Sequence, residues 1–453
     1  MGGWLSAYAL LQDEFIQRTL EGCRIPATLR RRFAELHPIQ DAWNDLRVNP
    51  IYDDLMALPD DPELARREPN DLSEIRALRP AGVRDLKWRP AADELMDRLW
   101  GAWTARCVGC ALGKPVEVGW MPRPTIKKYL QNRGEWPLRD YFSGRDVGDG
   151  LRIESDLSQR ENTAFMQGDD DITYSLVGLN VLEKHGPDFS WADVAESWMR
   201  HIPFWFICGA EAMAFLNLLN HSCRQERGSA TPAFTRRYRN PYREYIGAQI
   251  RSDGWAWACA GKPELAAEFA YRDACWTHER NGIYGEMFMA AIQAAAFVEH
   301  DPARLVDIGL SEIPRECRLA QSVRQCLAWI KQCPDFEACM DKVDEVWAGN
   351  QTTIPNALAC VLSLFYGEMD TVVSPAIVVM CGLDPDSNGA TVGSIVGAAS
   401  GRKRMKPDLA DRLHDTIRND MMAWPEVTMK ELAARTAVVW HKVDEYARDR
   451  SGR

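Results

Sequence analysis

Cys381-Gly382-Leu383-Asp384-Pro385-Asp386-Ser387-Asn388-Gly389 sets two carboxylates and a hydroxyl in a short turn, and an apolar segment runs from it to Gly401. Within that segment Gly389, Gly393, Gly397 and Gly401 recur at four-residue spacing. On a helix this spacing draws one stripe without side chains, against which a second helix packs at close range. Pro385 and Gly389 are expected to keep the acidic turn itself out of regular helix. Hard oxygen ligands held on a rigid element suit Mg²⁺, Ca²⁺ or Mn²⁺. The plainer reading of the same residues is a helix cap made by Asp386, Ser387 or Asn388.

A second acidic run weighs between these readings. Asp169-Asp170-Asp171 precedes Ile172 to Leu182, which has a helical pattern. Three adjacent carboxylates repel one another, and a helix N-terminus relieves only about 0.3–1 kcal/mol each at an exposed surface. If the run is partly buried, a bound cation is the natural compensation. A solvated acidic helix start is the alternative.

Four stretches in one order resemble the ADP-ribosylglycohydrolase family. Gly109-Cys110-Ala111-Leu112-Gly113-Lys114-Pro115-Val116-Glu117 is similar to its G-D-A-L-G-x-P-x-E motif. Asp169-Asp170-Asp171-Ile172 is similar to its T-D-D-T, Trp276-Thr277-His278 to its L-T-H, and Gly382 to Asn388 to its G-x-D-T-D-T-N. The resemblance spans about residues 91–405. It implies an all-α fold, a compact orthogonal multi-helix bundle of the ADP-ribosylglycohydrolase type. It also implies a hydrolase that breaks the N- or O-glycosidic bond at the anomeric carbon of an ADP-ribosyl group. Two Mg²⁺ ions, or Mn²⁺, would lie among Asp169, Asp170, Asp171, Asp384, Asp386 and Ser387. Glu117, Asp170 and Asp171 would act in catalysis, and Asn388 would meet the substrate.

Departures from the family pattern bear on that picture. Cys110 stands for an aspartate, Asp169 for a threonine and Ile172 for the second threonine. An added charge at Asp169 is expected to shift metal preference toward Mn²⁺. Ile246-Gly247-Ala248-Gln249-Ile250-Arg251 is similar to the family's N-G-A-x-M-R, but Ser252-Asp253-Gly254-Trp255-Ala256-Trp257 follows in place of a proline-containing turn. Arg251, Trp255, Trp257 and His278 are therefore candidates for substrate contact. The tryptophans either stack on a base or sugar or pack in the core, and His278 is either a polar contact or a satisfied core histidine. Lys114 is a candidate partner for Glu117. A glycosidase for another small ribosyl or nucleoside-like metabolite, and a silent ligand-binding member of the fold, remain as other readings.

The rest of the chain limits the function further. A net charge of −11 argues against general nucleic-acid affinity. Thirteen scattered cysteines, an odd number without framework spacing, favour free thiols in a reducing compartment, and a cytoplasmic location is expected. Cys107 and Cys110 form a lone C-x-x-C that reads as buried small residues rather than a zinc or redox pair. Neither a secretory signal nor a membrane-spanning run is visible. Residues 1–90 read as a helical and irregular extension, with 58–90 as an extended arm, and 91–453 as the catalytic domain. Helical spacing predicts a first long helix ending near Leu112, with a turn at Gly113–Pro115 before Glu117, and a succession of helices from 171 onward with no strand.

Overall fold

In the computed structural model, which describes residues 5–37, 45–117, 121–224, 230–347 and 352–451, the glycine stripe finds a matching stripe. The Ala92–Glu117 helix and the Pro385–Ser400 helix lie antiparallel, backbone against backbone. A β-carbon at Gly389 would come 2.4 Å from the Gly109 carbonyl oxygen, one at Gly393 2.1 Å from that of Ala105, and one at Gly397 2.4 Å from that of Gly101. Only glycine allows this approach, because any side chain would displace main chain rather than a movable neighbour. The register of the pair sets the end of one helix, Glu117, beside the start of the other, Asp384 to Ser387.

Both ends of this pair differ from the sequence expectation. The first helix runs through Gly113 and Pro115 to Glu117 instead of turning at 113. The second begins at Pro385, not Gly389, so Asp386, Ser387 and Asn388 form its first turn. Proline is tolerated at the first helical position because the N–H it lacks has no partner there.

Other helices close around the pair. The Asn281–Ala296 helix is buried on every side, as its apolar and small residues require. The Val373–Met380 and Met429–Ser451 helices pack on the same centre. Most helices predicted after residue 171 occur within a few residues of their expected bounds, from Asp170–His185 to Met429–Ser451; residue 348, the end of one of them, lies outside the described residues. Thr416–Arg418 and Glu426–Thr428 pair as a two-stranded antiparallel sheet, which the absence of any long alternation did not announce. The class is all-α.

The N-terminal segment is packed onto this body rather than extended from it. Residues 58–90 contain the Pro62–Arg67 and Leu72–Leu78 helices, and the longest stretch without helix is 79–90. The guanidinium of Arg243, fully buried, donates to Glu14 Oε1 at 2.7 Å and to Glu21 Oε1 at 2.8 Å, both on or next to the Ala7–Leu20 helix. Arg318 donates to Glu68 Oε2 at 2.7 Å. Among the described residues no helix is long and apolar enough to cross a membrane.

Candidate metal and active site

The two acidic runs meet. Ligand atoms of Cys110, Asp169, Asp171 and Asp386 lie within 4.8 Å of one another, and those of Glu117, Asp384 and Asp386 do the same. Asp386 belongs to both groups. Asp169, Asp171 and Asp386 are buried, whereas Glu117, Asp170 and Asp384 are partly exposed and form the open side.

Each element presents its carboxyl for a local reason. Asp169 is the N-cap of the Asp170–His185 helix, and its Oδ1 accepts from the Asp171 N–H at 3.0 Å. Asp170 and Asp171 follow in the first turn, at the positive end of the helix dipole. Ser387 donates its hydroxyl to Asp171 Oδ2 at 2.9 Å, which ties the start of one helix to the start of the other. From below, buried Arg106 donates to the Asp171 carbonyl at 2.6 Å and to the Ile250 carbonyl at 2.7 Å, and pairs with Asp253 at 2.6 Å. Lys114 pairs with Asp169 rather than with Glu117.

Packing these acids together shifts their proton affinity. Burial pushes the Glu117 carboxyl up to about 9, helped by the charges of Asp386, Asp169 and Asp170. Burial and the same crowding push Asp386 to about 6 and raise Asp170, Asp171 and Asp384 well above the usual range. Asp169 goes the other way: burial opposes ionisation, but the Lys114 ammonium outweighs it. Burial also raises the Cys110 thiol, so it stays protonated. Crowded carboxyls whose ionised forms lack partners are the electrostatic signature of a cation site. The all-oxygen set of Glu117, Asp384 and Asp386 fits a hard divalent ion such as Mg²⁺ or Mn²⁺. The set with Cys110 fits one poorly, because a neutral thiol stands among its donors and Asp169 and Asp171 are already paired.

Several expected substrate contacts are interior. Trp255 is 1% exposed and stacks on Phe189, ring centres 4.7 Å apart. Trp257 packs on Trp103 and donates its indole N–H to Ser394 Oγ at 3.0 Å. Neither presents a ring face to a ligand, since residues 252–258 fold as a short buried helix instead of an open turn. Arg251 is locked among Glu211, Asp273 Oδ2 at 2.8 Å and Thr277 Oγ1 at 3.0 Å. His278 is buried with Nδ1 2.8 Å from Thr277 Oγ1, and burial and Arg251 keep it neutral. The amide of Asn388 donates to Asn356 Oδ1 at 2.7 Å and faces Cys360, not the open side. Glu211, the partner of Arg251, adds its charge to the pressure on Asp170.

Arg106 and Asp253 have no role in the sequence reading, and Lys114, a candidate partner for Glu117, pairs with Asp169 instead. The one available signal was charge: a buried acidic run needs basic partners, and both basic residues lie on the first long helix. Cys107 and Cys110 are buried free thiols, as their neighbours suggested, but Cys110 also borders the acids. The cysteines with described side chains are all free thiols. A groove of about 1100 Å³ between residues 80–86 and the Pro302–Leu310 and Arg318–Ile330 helices contains none of Glu117, Asp169, Asp170, Asp171, Asp384 and Asp386.

Comparison with known proteins agrees with this geometry. Residues 91–442 match the family described as ADP-ribosylglycohydrolase. A solved chain from an ADP-ribosylglycohydrolase-related protein complex is similar at 18% identity and a TM-score of 0.50, covering 77% of this chain and 99% of that one. At that identity the likeness speaks for the fold alone. No curated protein matches the chain.

Proposed function

Since the chain belongs to the ADP-ribosylglycohydrolase family, and is by that membership a glycoside hydrolase, we propose that it releases ADP-ribose from an ADP-ribosylated side chain or small conjugate. Water adds at the anomeric carbon of the terminal ribose, and the C–N or C–O bond to the acceptor breaks. The observation that carries this reading is the convergence of Glu117, Asp384 and Asp386 within 4.8 Å at the open end of the glycine-packed helix pair.

The chain's own residues divide the work. The carboxylates of Asp170 and Asp384 oppose the positive charge that builds on the ribose ring as the bond opens. Glu117 sits at a helix end and is partly exposed, placed to exchange a proton with the leaving group and the incoming water. Asp171, held by Arg106 and Ser387, fixes the floor of the centre. Glu117, Asp384 and Asp386 would hold a divalent cation, which would supply positive charge to orient ribose hydroxyls and to acidify a nearby water.

The reading is tested by incubating the purified chain with ADP-ribosyl-arginine, ADP-ribosyl-serine and simple ribosides, with Mg²⁺ or Mn²⁺ or with chelator. Release of ADP-ribose that chelator abolishes supports it. Turnover of a simple riboside alone moves the substrate to a smaller ribosyl compound. No turnover of any of them, with cation bound, leaves a ligand-binding member of the fold.

A further inference from the structure

The two groups of donors at the centre are not equally available. In the outer group, Glu117, Asp384 and Asp386 offer only oxygen, and Glu117 reaches the open side. In the inner group, nearly every oxygen is already engaged. Asp169 Oδ1 accepts from the Asp171 N–H at 3.0 Å, and Asp169 Oδ2 holds the Lys114 ammonium. Asp171 Oδ1 faces Arg106 at 3.3 Å, and Asp171 Oδ2 accepts from Ser387 at 2.9 Å. Two donors remain: Asp386, which the outer group shares and whose Oδ1 accepts from the Ser387 N–H at 2.9 Å, and the Cys110 thiol, a soft group where a hard ion needs oxygen.

The sequence departures at this spot complement each other. Asp169 adds a carboxylate where the family motif has a hydroxyl, and Lys114 occupies the motif's open position one helix away. Alone, Asp169 would be a buried charge without a partner. Alone, Lys114 would face a divalent ion at short range with nothing between them. Together they form a closed, side-chain-buried pair, with Lys114 15% and Asp169 3% exposed. A compact ammonium on a flexible stem can fill a small cation's place among oxygens.

We propose that the Lys114 ammonium takes one of the two cation positions that the resemblance implies, so that the centre binds a single divalent ion on Glu117, Asp384 and Asp386. This rests on the metal-dependent reading above. Cys110 and Asp169 then serve to seat the lysine and not to ligate metal.

Counting Mn²⁺ on the full-length chain, by elemental analysis after dialysis and by electron paramagnetic resonance, tests the proposal without an activity assay. The wild type is expected to hold one Mn²⁺ per chain with the spectrum of an isolated ion. Lys114→Met combined with Asp169→Thr restores the family's hydroxyl and leaves no lone buried carboxylate. That variant is expected to hold two ions per chain, with a spin-coupled spectrum. Lys114→Met alone, which keeps the aliphatic stem, is expected to gain the second ion as well. Two coupled ions in the wild type overturn the proposal, and so does a folded double variant that stays at one. If neither variant folds, the wild-type count decides. No bound Mn²⁺ in the wild type removes the metal-dependent reading itself, an outcome distinct from two ions, which removes only the lysine's role.

Discussion

Glu117 owes its chemistry to its place: it is the last residue of a helix clamped by glycine packing, and its carboxyl still reaches the open side. Glu117→Gln keeps size and removes charge. It is expected to fold, to leave the buried aspartates in place and to lower turnover by about 10²–10⁴-fold, checked by ADP-ribose release alongside circular dichroism. The tryptophans are expected to behave differently. Trp257→Ala should cost about 3–5 kcal/mol of stability, as large core deletions do, read as a drop in denaturant midpoint. A loss of ligand affinity with unchanged stability would return Trp257 to the pocket. Sequence could name the acids because their type and spacing carry the chemistry. It could not tell core from pocket for Trp255, Trp257, His278 or Asn388, because that depends on what the fold lays over them. Lys114 shows the same limit. Three residues before Glu117 it looks like a local partner, yet its long stem reaches a carboxylate on another helix.

Among the elements, the four-residue glycine repeat was the most legible feature, because close helix packing leaves few other uses for it. Only its consequence was hidden: the partner stripe, Gly101, Ala105 and Gly109, lies in a helix whose apolar face drew the eye elsewhere. Gly393→Ala tests the contact. In an ordinary helix interior this change stabilises by up to about 1 kcal/mol. Here the new methyl would meet the Ala105 carbonyl oxygen at 2.1 Å, so a loss of about 1–3 kcal/mol is expected, with weaker cation binding as Glu117 moves away from Asp384 and Asp386. Thermal melts with and without Mn²⁺ check both effects; a stabilised variant would show that the helices are not held this close. Helix ends were read less well. Pro115 and Pro385 looked like breakers, but Pro115 lies two residues from the end of its helix, where it removes a single hydrogen bond, and Pro385 opens the other, where the missing N–H has no partner. The three-residue strands are too short for alternation to show.

At the level of the whole molecule, both ends of the chain are fastened to one carboxylate. Glu268, on the Pro263–Ala274 helix, pairs with Arg76 of the N-terminal segment at 2.7 Å and with Arg450 of the last helix at 3.2 Å, besides Arg272 on its own helix. Burial would raise this carboxyl, but Arg76, Arg450 and Arg272 outweigh it and hold it at about 2, below its ordinary 4.5. A depressed carboxyl stabilises the fold above its unfolded value and loses that contribution as pH falls through its folded one. Between pH 4.5 and 2 about 3 kcal/mol should disappear. Glu268→Gln should therefore be less stable than wild type at pH 7 and nearly equal to it near pH 2, as measured by urea midpoints at the two pH values. Such fastenings could not be read from sequence, since each partner is a common surface residue until the fold brings it in. The pairing of the two glycine stripes also bears on the order of events in folding. Its halves lie far apart along the chain, so they meet only after a large loop closes, and the acids they carry repel as they come together. The centre is therefore expected to assemble late, after the main barrier. Interactions formed after the barrier slow unfolding and leave folding untouched. Saturating Mg²⁺ is expected to lengthen the unfolding time in stopped-flow urea jumps while refolding keeps its rate. Equal acceleration of refolding would mean that the cation gathers the two helices early and acts as a nucleus.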